Sequence, residues 1–147
     1  MSHAYWFKAP LTCLHCGAVL PPECVHLLVS GLNPESRDEV VWIGTSLAIC
    51  AGDFDDAFIR IHRPPEGQDI TCLEQWGCLR CKHAQWARLR FAHEAYAAYR
   101  FCECTNVPLT LEIVRDLHYI TTHIETWSAP DPETDRIHEF LGPLLHR

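Results

Sequence analysis

The chain has 147 residues and a formal net charge of −7 at pH 7, and 48% of its residues are hydrophobic and 10% aromatic. A chain of this length and composition is expected to form one globular domain with a hydrophobic core and not to be intrinsically disordered. The excess of acidic residues disfavours a partner recognised mainly through phosphates, because such binding needs a positive surface.

The first half of the chain is predicted to form a β-sheet. Its first residues lack a basic segment followed by an apolar run, and its apolar stretches are too short to span a bilayer, so we expect a cytoplasmic protein without membrane contact. Turn signals such as Asn33-Pro34 and Pro64-Pro65 separate the strand-forming stretches. The predicted strands are AYWFKA (4–9), CVHLLVSGL (24–32), VVWIGTSLAICA (40–51) with Gly44 as a bulge, AFIRIHR (57–63) and DITCLEQW (69–76).

Residues 84–100 carry two conflicting signals. WARLRF (86–91) alternates between apolar and basic residues, which is typical of a half-exposed strand. The six alanines of the same stretch favour a helix instead. We predict strands at 85–91 and 98–104, because AYRFCEC can pair back on the preceding stretch.

The C-terminal part, residues 110–147, is predicted to be helical. Thr110 can cap a helix over about 110–126, in which apolar residues recur every three or four positions up to Trp127. A linker with two prolines, SAPDPETD (128–135), precedes a short second helix at about 133–141. The predicted fold class is therefore α+β: one domain with an antiparallel sheet over residues 1–109 and a C-terminal helix packed on it.

Two Cys-x-x-Cys pairs, CLHCG at 13–17 and GCLRCK at 77–82, are the strongest motif in the chain. The nine cysteines are odd in number, and a reducing compartment disfavours a disulfide framework. Zn²⁺ prefers four tetrahedral soft ligands, and each pair offers two thiolates on one side of a metal. The motif predicts one shared structural Zn²⁺ on Cys13, Cys16, Cys78 and Cys81. Gly17 suits a tight turn with positive φ, and Gly77 is expected to serve a similar need.

Two enzymatic interpretations of the pairs fit poorly. A thioredoxin-like centre needs one Cys-x-x-Cys at the start of a helix within a βαβ pattern, and neither pair has that context. A zinc deaminase needs His-x-Glu upstream of Pro-Cys-x-x-Cys, but no His-x-Glu precedes Cys78 and Gly77 stands in the place of the proline.

The layout of CLHCG, GCLRC and the strands around them resembles the zinc-ribbon group of folds. That resemblance implies two cysteine turns at the tips of β-hairpins, although most ribbons have a shorter insert between them. More loosely, PLTLEIVRDLHYI (108–120) and the aromatic residue after the second pair are similar to small bacterial zinc-ribbon proteins of unassigned role. Immunity proteins of toxin loci are one class expected among such proteins, so the resemblance makes inhibition of a toxin one expected role.

The remaining cysteines and histidines are assigned mainly to packing. Cys102 and Cys104 are two residues apart in a predicted strand, where core packing is favoured over a second metal site. Cys24, Cys50 and Cys72 lie in apolar strand contexts and are expected in the core. The ten histidines are scattered, and His118 and His123 are five residues apart, so they face different sides of the predicted helix.

We therefore expect a protein-binding module that is not an enzyme, with an acidic surface that docks on a basic protein partner such as a toxin. The candidate contact residues are the acidic residues Asp53, Asp55, Asp56, Asp131, Glu133 and Asp135.

Two alternatives remain open. In the first, a nucleic-acid-binding ribbon, the basic residues of the Arg80–Arg100 segment track phosphates while Trp86, Phe91 and Tyr96 stack on bases. In the second, a metalloenzyme, His62, His83 or His93 joins a carboxylate in a pocket, because a Cys₄ zinc leaves no position open for water.

Overall fold

The protein is a three-layered α+β structure in which a small sheet and a pair of helices cover opposite faces of a larger sheet. The computed structural model describes residues 5–25, 27–29, 39–49, 59–62, 67–121 and 132–144. Its elements in chain order are β1 (Tyr5–Lys8), β2 (Leu11–Thr12), β3 (Val19–Leu20), β4 (Leu27–Leu28), β5 (Glu39–Trp42), β6 (Ser46–Ala48), β7 (Ile59–Arg60), β8 (Ile70–Gly77), β9 (Ala84–Ala95), β10 (Ala98–Val107), α1 (Leu111–Arg115), β11 (Tyr119–Ile120) and α2 (Pro132–Leu141).

The larger sheet has six strands in the order β6-β10-β9-β8-β11-β7. The long strands β8, β9 and β10 form an antiparallel meander at its centre, and β11 joins the edge of β8 in parallel. The β9–β10 hairpin confirms strands over residues 85–91 and 98–104. Burial of the alternate residues Ala87, Leu89 and Phe91 supplies the free energy that outweighs the helix propensity of the alanines.

The smaller sheet has the order β4-β1-β5, with β1 antiparallel to β4 and parallel to β5. Side chains of β1 alternate across the sheet, so Tyr5 and Phe7 are buried while Trp6 and Lys8 are half-buried on the other face. Phe7 lies edge-on to Phe91 and Phe101 of the larger sheet, with ring centroids 5.4 and 5.0 Å away. These aromatic contacts hold the two sheets face to face.

The opposite face of the larger sheet carries a second apolar cluster, formed with the two helices. Leu73 of β8 and Trp86 of β9 pack there with Val114, Ile137 and other residues of the C-terminal part. The predicted second helix at 133–141 is confirmed by α2. No helix within the described ranges combines the length and the apolar character needed to cross a membrane.

The predicted long helix at 110–126 is wrong. Thr110 caps α1 as expected, because its hydroxyl accepts a hydrogen bond from the Ile113 amide at 3.2 Å, but α1 ends at Arg115. The chain then enters β11, where Ile120 lies beside Leu73 of β8. The spacing of Ile113, Leu117 and Ile120 suits a helix, but the same side chains reach the core here as a short helix followed by a strand. Ile124 and Trp127 lie outside the described residues.

Three further predictions about the sheets need correction. Cys24 ends a 3-10 helix, Pro22–Cys24, because the prolines before it disfavour a strand, so the strand predicted at 24–32 is described only at β4. The strand predicted at 40–51 is divided into β5 and β6 by a turn, and Gly44 lies in this turn with φ of 95° instead of forming a bulge. The larger sheet is also not purely antiparallel, since β11 pairs with β8 in parallel.

One carboxyl group, that of Glu74 in β8, is buried in the sheet. It accepts a hydrogen bond from the Thr121 hydroxyl at 2.6 Å and another from the Gln75 amide at 3.0 Å. Burial raises the pKa of Glu74 to about 7, because desolvation disfavours the charged form by more than the two hydrogen bonds favour it. Ionised Glu74 therefore destabilises the folded state.

We predict that Glu74→Gln becomes more stable relative to the wild type as pH rises. Glu74 has a higher pKa in the folded state than in the unfolded chain, so its stabilising effect is complete below about pH 4.5 and is lost as pH rises towards 7. The difference in free energy of unfolding, variant minus wild type, should be larger at pH 8.5 than at pH 6 by roughly 1–1.5 kcal/mol. Urea unfolding at both pH values measures it, and a difference independent of pH would contradict the burial of an ionisable Glu74.

Candidate metal centre

The first cysteine pair forms a tight turn between β2 and β3. The Gly17 amide donates to the Cys13 carbonyl at 3.0 Å, and the Cys13 amide donates to the Ala18 carbonyl at 2.9 Å. Gly17 has φ of 78°, as predicted for the glycine that follows the pair. The turn aims the amides of His15 and Cys16 at the Cys13 sulfur, at 3.3 and 3.2 Å.

The second pair repeats this geometry between β8 and β9. The Lys82 amide donates to the Cys78 carbonyl at 2.8 Å, and the Cys78 amide donates to the His83 carbonyl at 3.2 Å. Lys82 takes the position of Gly17 and has φ of 64°, a conformation that costs a lysine more than a glycine. The expected role of Gly77 is therefore wrong, because the left-handed residue follows the pair, and Gly77 is the last residue of β8.

The two turns bring all four sulfur atoms together. The Cys13 and Cys81 sulfurs are 3.7 Å apart, the Cys16 and Cys78 sulfurs are 3.8 Å apart, and all four lie within 4.8 Å of one another. These four residues are thus a group that could hold a metal ion, and within the described part of the chain no other cluster of three or more Cys, His, Asp or Glu meets as closely.

The pKa values of Cys13, Cys78 and Cys81 show why a cation suits this group. Burial raises the pKa of Cys13, but hydrogen bonds from the Cys16 and His15 amides and from Gln85 lower it to about 6. The Cys81 amide, with that of Arg80, lowers the pKa of Cys78. The His83 amide favours the Cys81 thiolate, yet burial and contact with the other three thiols raise the pKa of Cys81 to about 11. The sites share negative charge that a bound cation would neutralise.

A network of side-chain hydrogen bonds from the central strands holds the Cys13 sulfur in place. The Gln85 side chain, buried in β9, donates to this sulfur at 3.0 Å and accepts from the Leu14 amide at 2.7 Å. Asn106 of β10 donates to the same Gln85 oxygen at 2.8 Å and to the Thr12 carbonyl at 2.7 Å. The Trp76 indole donates to Asn106 at 3.2 Å. The network fixes the first turn on the central meander, as outer-shell partners do around metal ligands.

Sequence reasoning missed Gln85, Asn106 and Trp76. The sulfur that they support belongs to Cys13, which is 63, 72 and 93 positions away from Trp76, Gln85 and Asn106. The three residues also belong to three different strands, so no local spacing connects them with Cys13. The polar residue Gln85, in an otherwise apolar and basic stretch just after the second pair, is the one signal that pointed to this network.

The other cysteines among the described residues take no part in the centre. Cys72 is fully buried as predicted, and Cys24 is half-buried against the same core cluster. Cys102 lies where the β9–β10 pairing shifts register, and Cys104 packs against the core. Burial raises the pKa of Cys104 to about 12, which makes its thiol a poor metal ligand. Cys50 lies outside the described residues.

The histidines named for an enzymatic site are in separate places. His62 contacts the Arg115 carbonyl, and His93 contacts the Tyr96 carbonyl. His83 stacks on His15 of the other cysteine turn, with ring centroids 4.2 Å apart. Among the described residues these three histidines do not form a joint ligand cluster.

Four of the six acidic contact candidates are outside the part of the chain that the structure describes. Asp53, Asp55, Asp56 and Asp131 lie outside the described residues. Glu133 and Asp135 lie in the first turn of α2, where Asp135 is exposed. Glu133 accepts hydrogen bonds from the Leu111 amide and from Arg136, both at 3.0 Å, so its carboxylate already joins the two helices.

The basic and aromatic residues of the Arg80–Arg100 segment do not form one open surface. Phe91 is 0% exposed and Trp86 is buried, which leaves neither ring free to stack on a base, whereas Tyr96 is 96% exposed at the β9–β10 turn. Arg90 pairs with Asp69 at 2.7 Å and Arg100 pairs with Glu94 at 3.5 Å. These acidic partners reduce the positive charge that phosphates would meet.

Comparison of the chain with protein-family models, with curated proteins and with solved structures finds no match. The interpretation of the centre therefore depends on its own geometry.

We predict that Gln85→Leu weakens metal binding. The substitution removes the donor to the Cys13 sulfur and leaves the Leu14 amide and the Asn106 side chain without their shared acceptor. Loss of such outer-shell partners lowers metal affinity by roughly 10–100-fold. Titration with Zn²⁺ against a chromophoric chelator measures the effect. Thr105→Val, at an exposed position of β10, is the control and should bind as the wild type does; equal affinities for all three proteins would contradict the role of Gln85.

Proposed function

We propose that the chain is a small protein-binding module, without catalytic activity of its own, whose fold is held by a structural Zn²⁺ on Cys13, Cys16, Cys78 and Cys81. Its partner is a basic protein, and inhibition of a basic toxin, as an immunity protein does, is the specific form of this proposal.

The sulfur geometry supports zinc. A tetrahedral Zn²⁺ with bonds of about 2.3 Å to sulfur requires neighbouring sulfurs about 3.8 Å apart. The distances of 3.7 and 3.8 Å between the two turns agree with this. Four cysteine ligands complete the shell and leave no position open for water, so such an ion supplies stability and no Lewis-acid chemistry.

The position of the centre supports a structural role. Cys13 and Cys16 belong to the β2–β3 hairpin, which follows β1 of the smaller sheet directly, whereas Cys78 and Cys81 lie between the central strands β8 and β9. An ion shared by both turns ties the N-terminal segment to the larger sheet. Structural zinc contributes about 10–16 kcal/mol in small peptides, which is comparable with the whole stability of a domain.

We predict that Cys13→Ser or Cys81→Ser prevents the chain from folding. Each substitution removes a ligand, so zinc is lost and the two turns separate. Circular dichroism and elemental analysis of the purified proteins measure both effects. Cys102→Ser, at a half-buried cysteine outside the centre, should keep the fold and one zinc per chain. Fully folded Ser variants at both ligand positions would contradict a structural zinc.

The observation that carries the proposed binding function is an apolar surface on the smaller sheet. The register places Leu28, Trp6 and Val40 side by side, with Trp42 beside Lys8 in the next row. Val40 is 50% exposed and Trp42 is 44% exposed, although both are large apolar residues. We call these four apolar residues, with Ile43 in the following turn, the outer apolar face. An exposed apolar face of this kind is typical of a protein-interaction surface.

The charge of the chain supports a basic partner. A net charge of −7 attracts a positive protein and speeds their encounter, while the outer apolar face supplies the area that is desolvated on contact. Tryptophan residues at the centre of such a contact often dominate the binding free energy. Trp42 is therefore the expected anchor of the interface.

We predict that Trp42→Lys abolishes capture of the partner, because it removes the anchor and adds a positive charge that repels a basic protein. The partner is isolated by cross-linking in the organism that encodes the chain and identified by mass spectrometry, and its dissociation constant is then measured by calorimetry. Loss of a central tryptophan should raise this constant by roughly 30-fold or more.

Val19→Lys is the matched control, since Val19 is 72% exposed in β3 and lies outside the outer apolar face. Its affinity should equal that of the wild type. The proposal is overturned if the wild type captures no protein, if its partner is acidic, or if both lysine variants bind equally well.

A further inference from the structure

The four sulfur atoms of the centre are not equivalent in their access to solvent. Cys13 and Cys78, the first residue of each pair, are buried. Cys81 is half-buried, and Cys16 is exposed. A reagent from solution therefore reaches the Cys16 sulfur first.

The sulfurs also differ in their hydrogen bonds. The Cys13 sulfur accepts from two backbone amides and from the Gln85 side chain. Over the described part of the chain, no N–H group donates to the Cys16 sulfur, which contacts the Cys78 sulfur instead. Hydrogen bonds withdraw electron density from a thiolate and make it a weaker nucleophile, so the Cys13 sulfur is protected by its donors as well as by its burial. The Cys16 sulfur has neither protection and is the one most open to reaction.

We propose that Cys16 is a modification site: peroxides oxidise its sulfur first, and Cys78 then closes a disulfide with it and releases the metal. This inference rests on the proposed zinc centre. In the first step the Cys16 thiolate attacks one peroxide oxygen, the O–O bond breaks, and sulfenic acid and hydroxide form. In the second step the Cys78 thiolate attacks the Cys16 sulfur, the S–S bond forms, and hydroxide leaves. Two thiolates are oxidised and one peroxide is reduced, while zinc remains Zn²⁺.

The position of Cys78 makes it the resolving residue. Its sulfur is 3.8 Å from that of Cys16, and a disulfide bond of about 2.05 Å requires the two sulfurs to approach by less than 2 Å. Cys13 is the competing residue within the same turn, but its sulfur is held by three donors, including Gln85 of β9 in the larger sheet.

The disulfide has a structural consequence that a link within one turn would not have. It joins two turns that are 62 residues apart, the same two turns that the metal joins. Loss of two of the four ligands releases the ion, yet the N-terminal hairpin stays attached to the larger sheet. Oxidation therefore exchanges a metal cross-link for a covalent one, and the oxidised protein stays folded although the reduced metal-free protein does not.

The test begins with elemental analysis of the purified full chain, which must contain one zinc per chain. Hydrogen peroxide is then added below one equivalent, in the presence of a zinc-sensitive dye, and the disulfides are mapped by mass spectrometry without reduction. Trypsin cleaves after Arg80 and so separates Cys78 from Cys81. We expect one zinc released for each disulfide formed, a Cys16–Cys78 link as the main product, and a circular dichroism spectrum that stays unchanged.

A variant tests the order of reaction. Cys16→His replaces the sulfur by an imidazole nitrogen, which zinc accepts as a ligand but which cannot form a disulfide. Peroxide should release zinc from this variant at least several-fold more slowly than from the wild type. Cys102→Ser should lose zinc at the wild-type rate. If Cys16→His does not bind zinc, the disulfide map of the wild-type protein tests the proposed order of oxidation without the variant.

Each outcome is decisive. A first link between Cys13 and Cys16, prior oxidation of Cys81, or an unaltered release rate for zinc-loaded Cys16→His overturns this inference and leaves the zinc centre in place. A purified chain that holds no zinc overturns the proposed centre and this inference with it.

Discussion

The architecture depends on the convergence of four sulfur atoms from two turns that the chain carries far apart. Each turn is built from the same two backbone hydrogen bonds and a left-handed residue, Gly17 in one and Lys82 in the other. One turn ends the short β2–β3 hairpin, and the other joins two of the longest strands of the larger sheet. Four close thiols repel one another as thiolates, so their proximity favours a cation between them.

The centre and the outer apolar face are connected through β1. This strand lies in the middle of the smaller sheet, and only two residues separate its end from β2 and the first cysteine turn. On one side of β1, Phe7 packs against both Phe91 and Phe101, while on the other side Trp6 lies between Leu28 and Val40. Anchoring the first turn to the larger sheet therefore also fixes the sheet whose outer side we propose as the docking surface.

The network around Gln85 explains how two similar turns give unequal sulfurs. The cysteine pairs have the same spacing and the same backbone pattern, yet among the described residues only the Cys13 sulfur has a side-chain N–H donor, from Gln85. Gln85 in turn depends on Asn106, and Asn106 on Trp76, so strands β8, β9 and β10 together orient one ligand. Access and hydrogen bonding then separate a protected sulfur at Cys13 from an open one at Cys16.

The sequence by itself determined what depends on local spacing. Two Cys-x-x-Cys pairs specify two tight turns, alternating apolar residues specify the β9 strand, and Thr110 specifies the start of α1, because each signal acts within a few residues of the backbone it shapes. From these signals the α+β class and the four-cysteine cluster could be predicted.

Only the tertiary structure decided what depends on distant partners. The stripe from Ile113 to Ile120 suits a helix as well as a short helix followed by a strand, and the free edge of β8 selects the strand. The role of Gln85 beside the Cys13 sulfur follows only from the fold, which brings Asn106 and Cys13 into contact with it. The exposure of Trp42 likewise follows from the parallel pairing of β5 with β1, which turns Val41 inwards and Trp42 outwards. Such outcomes are set by contacts between segments that no local pattern records.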